Sequence, residues 1–158
     1  GSGGFTVYRP QHWAFAGTGL GYGDVLGGSA RIFGYEVDGL DYCIRDGLPL
    51  PTGRDGAPAD VQILAMGPAY NRETRQGLRG EATYLPDETA YFALCRYGAD
   101  TPQNRERAAR GSGMIANMAF GAGEVFNAGT IDWVAGLIRR DAATEQVTRN
   151  VLNRYSRR

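Results

Sequence analysis

Residues 121–133 read GAGEVFNAGTIDW, and this stretch decides how the end of the chain folds. An apolar run at 114–120 precedes it, and a second short run follows at 124–127. The three residues between the runs include two glycines, a spacing that is typical of a hairpin turn. The sequence therefore predicts two strands, 114–120 and 124–127, joined by a turn at 121–123.

The polar tip that follows the second predicted strand is a candidate substrate-binding loop. Asn127, Gly129 and Thr130 come directly after the strand, and Asp132 stands just before Trp133. Because open α/β sheets bind ligands beyond the carboxyl ends of their strands, a polar tip with a glycine suits substrate binding. The alternative is a capped turn in which Asp132 is the N-cap of a following helix.

Three carboxylates lie close together in the stretch GYEVDGLDY at 34–42, namely Glu36, Asp38 and Asp41. If this region is a strand, Glu36 and Asp38 point to the same face of the sheet. Two carboxylates on one face can hold a divalent cation or act as an acid and a base. A solvated strand end and ion pairs to arginines are the alternatives. We expect Glu36 and Asp38 to face the same cavity as the loop 127–130.

The rest of the chain predicts an α/β domain with a mixed sheet and glycine-rich loops. Short apolar runs predict further strands at 13–16, 30–37, 61–66 and 90–97. Three prolines and three glycines predict a loop at 46–60, whereas 100–110 suits either a helix or a loop.

One helix is predicted, at the C-terminal end over about 142–156. Its apolar residues recur at a helical spacing and share one face, namely Val147, Val151, Leu152 and Tyr155. Asp141 is a suitable N-cap for this helix.

Composition limits the classes of function. The 158 residues suit about one domain. A formal net charge of +0 argues against a nucleic-acid or anionic-membrane partner, because both require a basic surplus. No apolar run is long enough to span a bilayer.

The cysteines, His12 and the glycine run 17–23 are further candidates for a metal, disulfide or nucleotide site. Cys43 and Cys95 stand among apolar neighbours, and we expect buried, unpaired thiols in a cytoplasmic protein. His12 is the one histidine of the chain and cannot form a histidine-based metal site alone. The run GTGLGYG at 17–23 is superficially similar to a dinucleotide fingerprint, but no amphipathic helix follows it, which favours a surface loop.

Several stretches together resemble the C-terminal part of the N,N-dimethylformamidase large (beta) subunit family. They are FTVYRPQHWAFAGTGLGYGDVLG at 5–27, GYEVDGLDY at 34–42, DGLPLPTG at 46–53, GAGEVFNAGTIDW at 121–133 and TRNVLNRY at 148–155. The final strand, loop and helix are also similar to glutamine-amidotransferase-like domains. The opening Gly-Ser-Gly is typical of a cloning remnant, which we expect over 1–4, and the resemblance implies that 5–158 is a single C-terminal domain or domain fragment.

The resemblance implies a hydrolase of small N-substituted amides that uses iron held by two tyrosines and a glutamate. In the family these ligands and a His-x-Glu segment lie upstream of the matched region, and here Trp13 and Ala14 follow His12. We therefore assign no metal ligand to this chain and expect it to bind no iron alone. The implied partners are a small amide substrate and the missing upstream part of the enzyme or a partner subunit.

The resemblance also implies that the polar loop and the carboxylates line a substrate site, with candidate residues Asn127, Gly129, Thr130, Asp132, Glu36 and Asp38. The alternative is a non-catalytic structural or binding module that keeps the same scaffold.

Overall fold

A computed structural model of the chain describes residues 3–34, 36–69 and 86–156, with side chains described from residue 89 in the last range. Its contacts divide the chain into two units. The larger unit comprises Gly1–Gly67 and Ser112–Arg158, and the smaller comprises Pro68–Gly111. In the described ranges, no helix is both long enough and apolar enough to cross a membrane.

The larger unit is built on a five-stranded sheet. Its strands are β1 (Phe5–Val7), β2 (Val25–Leu26), β5 (Gln62–Pro68), β6 (Ser112–Phe120) and β7 (Gly123–Asn127), in the order β2-β1-β5-β6-β7. The pairs β1–β2, β1–β5 and β6–β7 are antiparallel. The protein is thus mixed α/β, but the sheet is antiparallel wherever its register is described, which corrects the prediction of a mixed sheet.

The predicted strands on either side of the hairpin are confirmed. In β6 and β7, Phe120 pairs with Gly123, so the turn consists of Gly121 and Ala122. Gly121 has a φ of 58°, which suits glycine at a tight hairpin turn. The prediction of a buried strand at 61–66 is confirmed by β5, in which five consecutive residues from Ile63 to Gly67 are buried.

Two predicted strands, at 13–16 and 30–37, are absent over the residues that the structure describes, which leave out residue 35. Trp13–Phe15 is instead one turn of 3-10 helix, because His12 Nδ1 accepts a hydrogen bond from the Ala14 N–H and caps it. The segment 30–34 is irregular, since Arg31 has a φ of 54°, which ends any extended run. Only Val37 makes a strand-like bridge, to Thr130.

The prediction of a loop over 46–60 is wrong for its first six residues, 46–51, which form a hairpin turn and a strand. Strands β3 (Tyr42–Arg45) and β4 (Leu48–Pro51) form a separate two-stranded hairpin. Asp46 and Gly47 make its turn with φ angles of 51° and 77°, as an Asp-Gly hairpin turn requires. Cys43 in β3 is exposed, which contradicts its predicted burial, although the thiol is unpaired as expected.

The smaller unit is helical where it is described, which contradicts the predicted strand 90–97. Helix α1 (Pro86–Tyr97) covers that run. Helix α2 (Pro102–Ala108) follows, and its N-cap is Thr101, whose Oγ1 accepts a hydrogen bond from the Asn104 N–H at 3.2 Å. A short apolar run does not distinguish strand from helix by periodicity, and proline at the first helical position favours the helix. Cys95 is unpaired but exposed, again against the predicted burial.

The predicted C-terminal helix is confirmed as α4 (Ala142–Ser156), preceded by the short helix α3 (Trp133–Ile138). Asp141 caps α4 by accepting a hydrogen bond from the Thr144 N–H at 2.8 Å. The predicted apolar stripe is only half correct. Val147 is buried and Val151 packs against the core, but Leu152 is 64% exposed and Tyr155 is 43% exposed.

The main core lies between the sheet and the two C-terminal helices. It gathers apolar side chains from β1, β2, β5, β6 and α4, including Phe5, Leu26, Leu64, Ile115 and Val147. Gly136 of α3 lets that helix approach closely, because a Cβ there would lie 2.7 Å from Thr144 Cγ2 and 2.8 Å from Ile32 Cγ2. The close approach brings α3 onto the core directly after the loop 127–132.

Candidate functional site

Two segments that are about 90 residues apart in sequence lie side by side in the larger unit, and we call them the seam: residues 36–38 and residues 127–132. The Asp38 N–H donates to the Gly129 carbonyl at 3.0 Å, and the Ile131 N–H donates to the Glu36 carbonyl at 3.4 Å. The Asn127 side chain adds a hydrogen bond from Nδ2 to Asp38 Oδ2 at 3.0 Å. The structure thus brings most of the predicted site residues together.

Backbone packing explains why the seam forms. Gly129 is buried with a φ of 71°, and a Cβ there would lie 2.0 Å from the Met114 carbonyl oxygen. The Met114 N–H in turn donates to the Asp38 carbonyl at 2.7 Å. Since only glycine fits so close to β6, the loop is drawn onto the strand and the 36–38 segment is held beside it.

The polar atoms of the loop are already used in part by the loop itself. Asn127 Oδ1 accepts from the Gly129 N–H at 2.7 Å, and Thr130 Oγ1 accepts from the Asp132 N–H at 3.1 Å. An asparagine amide has two N–H groups and a carbonyl with two lone pairs. Counting contacts between described residues, Asn127 therefore has one N–H and one lone pair left for a ligand.

Asp132 occupies the N-cap position of α3 but makes no capping hydrogen bond with its side chain. Its carboxylate instead lies against Gly34, where an added Cβ would stand 1.5 Å from Asp132 Oδ2. Asp132 is thus the N-cap residue of α3 by position, but its side chain does not cap the helix.

The three carboxylates do not form one cluster. Glu36 and Asp38 are both exposed at the seam, on either side of Val37. The strand that was to point them to one face is absent, so the argument from strand alternation does not hold. Asp41 belongs to a different arrangement, in which its side chain accepts from Thr52 Oγ1 and its N–H donates to Asp55 Oδ2 at 2.6 Å.

The iron that the resemblance implies finds no cluster of carboxylate, imidazole or thiol ligands among the described residues. They contain no group of three or more His, Cys, Asp or Glu side chains that could hold a metal ion. Tyr8 and Tyr22 pack edge to face at 5.7 Å between ring centroids, but the Tyr22 hydroxyl donates to the Gly47 carbonyl at 2.7 Å. Burial, with Tyr22 and Tyr42 nearby, raises the pKa of Tyr8.

A second polar cluster was not found by the sequence analysis. Glu124 of β7 accepts hydrogen bonds from Arg154 Nε and, at 3.2 Å, from Asn117 Nδ2. The Arg154 guanidinium lies 4.6 Å from the Trp13 ring centroid, and the His12 ring lies 5.0 Å from the same ring. These contacts fasten the C-terminal end of α4 to the sheet.

Burial sets the charge states in this second cluster. Burial lowers the pKa of His12, and the nearby Glu124 only partly opposes the shift. The hydrogen bond from Arg154 lowers the pKa of Glu124. At neutral pH the histidine is thus neutral and the glutamate is ionised. In the sequence, His12 and Glu124 are the titratable members of this cluster, and neither residue by itself predicts that the two lie close together.

A shallow concavity of about 420 Å³ lies between α3 and α4, lined by residues that include Leu137, Arg140, Glu145, Arg149 and Leu152. It shares no residue with the seam or with the His12 cluster. It holds the ion pair of Arg140 and Glu145 at 2.9 Å, and it contains none of the residues that the sequence analysis proposed as a site.

The fold and the seam define an α/β module that presents backbone-anchored carboxylates and a neutral amide at one edge of an antiparallel sheet. Such a module can bind and orient a small polar ligand. The chain belongs to the N,N-dimethylformamidase beta subunit-like, C-terminal family, whose model matches residues 1–147. Comparisons with curated proteins and with solved structures give no significant match.

Proposed function

We propose that this chain is the C-terminal region of an amidohydrolase subunit that acts on small N-substituted amides, and that its seam positions the substrate. The observation that carries the proposal is the pairing of 36–38 with 127–132, fixed by the bond from Asn127 to Asp38. The seam offers hydrogen-bond donors and acceptors, and its one hydroxyl, Thr130 Oγ1, accepts from the Asp132 backbone N–H. Its proposed work is therefore binding and orientation, not bond breaking.

The chemistry of an amide substrate suits these groups. The remaining Asn127 N–H can donate to a substrate carbonyl oxygen, which fixes the orientation of the carbonyl. The exposed carboxylates of Glu36 and Asp38 favour the positive charge that the leaving amine acquires when it is protonated. Gly129, Thr130 and Asp132 hold these groups in place as the rim of the site.

The groups that break the amide bond are proposed to belong to another part of the subunit. The iron that the resemblance implies polarises the amide carbonyl as a Lewis acid when it is bound. We assign no ligand of that iron to the residues of this chain, so no step is assigned to this chain. We place the protein in the cytoplasm, where the unpaired thiols of Cys43 and Cys95 would stay reduced.

The alternative function is a non-catalytic structural or binding module. It is supported by the use of Asn127 Oδ1 and Thr130 Oγ1 within the loop, which a capped turn explains without any ligand. In that case the seam serves only to join α3 to the sheet.

A comparison of this chain with the full-length beta subunit separates the two functions. We expect the full subunit to hydrolyse N,N-dimethylformamide and to carry bound iron by metal analysis, and this chain alone to do neither. A full subunit that binds iron but releases no amine from several small amides would contradict the proposal and favour the module. Hydrolysis by this chain alone would contradict the assignment of bond breaking to the rest of the subunit.

A further inference from the structure

The outer face of α3 is apolar and exposed. Ile131, Val134 and Ile138 are 59%, 55% and 76% exposed, and their spacing of three and four residues places Val134 and Ile138 on one side of the helix with Ile131 at its start. The opposite side packs inward through Trp133 and the buried Gly136. Helix α3 thus has one apolar face packed on the core and a second apolar face exposed to solvent. An exposed apolar face of this kind is typical of an interaction site.

The concavity between α3 and α4 adjoins this face and adds charge to it. Its lining includes Leu137 and Leu152, and Leu152 is 64% exposed. The charged residues of the lining are Arg140, Arg149 and Glu145, so the lining has one positive charge in excess. A surface of this kind fits an apolar segment that also carries acidic side chains.

We propose that the α3 face, defined as Ile131, Val134, Ile138 and the adjoining Leu152, is the docking surface for the upstream part of the same beta subunit. The inference rests on the proposed function, in which the reacting groups come from that part. The family describes a C-terminal region of a subunit, so an upstream part exists in its members to cover the surface. The upstream segment is expected to place apolar side chains on α3 and a carboxylate opposite Arg149.

The position of the α3 face connects docking to the seam. Ile131 lies between Thr130 and Asp132, and its N–H is bonded to the Glu36 carbonyl. A segment that covers Ile131 therefore ends beside the seam, where groups that it carries can reach a substrate held by Asn127. Docking at the α3 face thus completes the site.

The test uses the full-length beta subunit with Val134→Glu or Ile138→Glu, and Ile44→Glu as the matched control. Ile44 is 55% exposed on β3, so all three substitutions place a charge at an exposed position and leave the fold of this unit intact. Amide hydrogen exchange across 131–138 measures whether the α3 face is covered. We expect exchange to be about tenfold or more faster in the two α3 variants than in the unmodified subunit and in Ile44→Glu.

Equal exchange rates in all four proteins would overturn the proposal, because they mean that nothing covers α3. A dimer of the subunit that Ile138→Glu converts to a monomer would also overturn it, since the occupant would then be a second copy. The exchange measurement does not depend on activity. Protection of α3 in a subunit that hydrolyses no amide would therefore keep the docking surface and reject the proposed function.

Discussion

Gly129 holds the polar loop against β6 because it has no side chain. Its φ is in the left-handed region, which side chains disfavour, and a Cβ would clash with the Met114 carbonyl oxygen. Another residue at this position would therefore require the backbone to shift. The sequence showed a glycine in a polar tip, which is compatible with any turn. Which carbonyl it would meet depends on the packing of β6, and local sequence does not encode that distance.

Gly129→Ala is expected to destabilise the larger unit by roughly 2–4 kcal/mol, because the strained φ adds to a backbone clash. Gly121→Ala is the matched control. It has a φ of 58° but open space around the added Cβ, so only the backbone cost of about 1 kcal/mol applies. Urea unfolding of both variants measures the difference, and equal losses would show that the contact with Met114 is unimportant.

Protonation of His12 and Glu124 is expected to lower stability as the pH falls. Burial lowers the folded pKa of His12 from 6.5, so the unfolded chain binds more protons and stability decreases below about pH 6.5. The bond from Arg154 lowers the folded pKa of Glu124 from 4.5, so its contribution is present above that pH and is lost below it.

Unfolding free energies measured between about pH 7 and about pH 3 check these signs. His12→Gln is expected to flatten the upper part of the curve, and Glu124→Gln the lower part. A stability that rises as the pH falls from 7 to 5.5 would contradict the neutral state of the half-buried His12.

At the scale of elements, the sequence predicted those structures that local pattern determines. The β6–β7 hairpin has a glycine turn between two apolar runs, and α4 has a cap and a helical stripe. The run 90–97 failed because a short apolar stretch fits a strand or a helix equally well. Asp46-Gly47 is a sequence typical of a hairpin turn, but the prolines at 49 and 51 led to the prediction of a loop there.

The two halves of the α4 stripe are expected to respond differently to substitution. Val147→Asp buries an unpaired charge in the core and is expected to cost several kcal/mol, about 3 or more. In this chain alone, Leu152→Asp changes a side chain that is 64% exposed and is expected to shift stability by about 0.5 kcal/mol or less. Thermal melting of the two variants side by side is the measurement. A similar loss for both would mean that the whole stripe is buried, as the sequence alone had predicted.

For the whole molecule, the family and the general α/β class were readable, and the site was readable only in part. The resemblance is confirmed by the family match over 1–147. The closeness of 36–38 to 127–132 followed from no local pattern, and the rule used to place the loop applies to parallel strands, whereas β6 and β7 are antiparallel. The likeness to glutamine-amidotransferase-like domains, like the roles of the seam residues, stays a prediction.

The kinetics of Asn127→Ala in the full-length beta subunit test the central claim, that the seam positions the substrate. With N,N-dimethylformamide we expect kcat/KM to fall about tenfold, chiefly through a higher KM, since one hydrogen bond of roughly 1.4 kcal/mol is lost. Gln103→Ala, which removes an exposed amide from α2, is expected to leave both constants unchanged. An unaltered kcat/KM in Asn127→Ala, with the loss confined to thermal stability, would contradict the account and leave the loop as a capped turn.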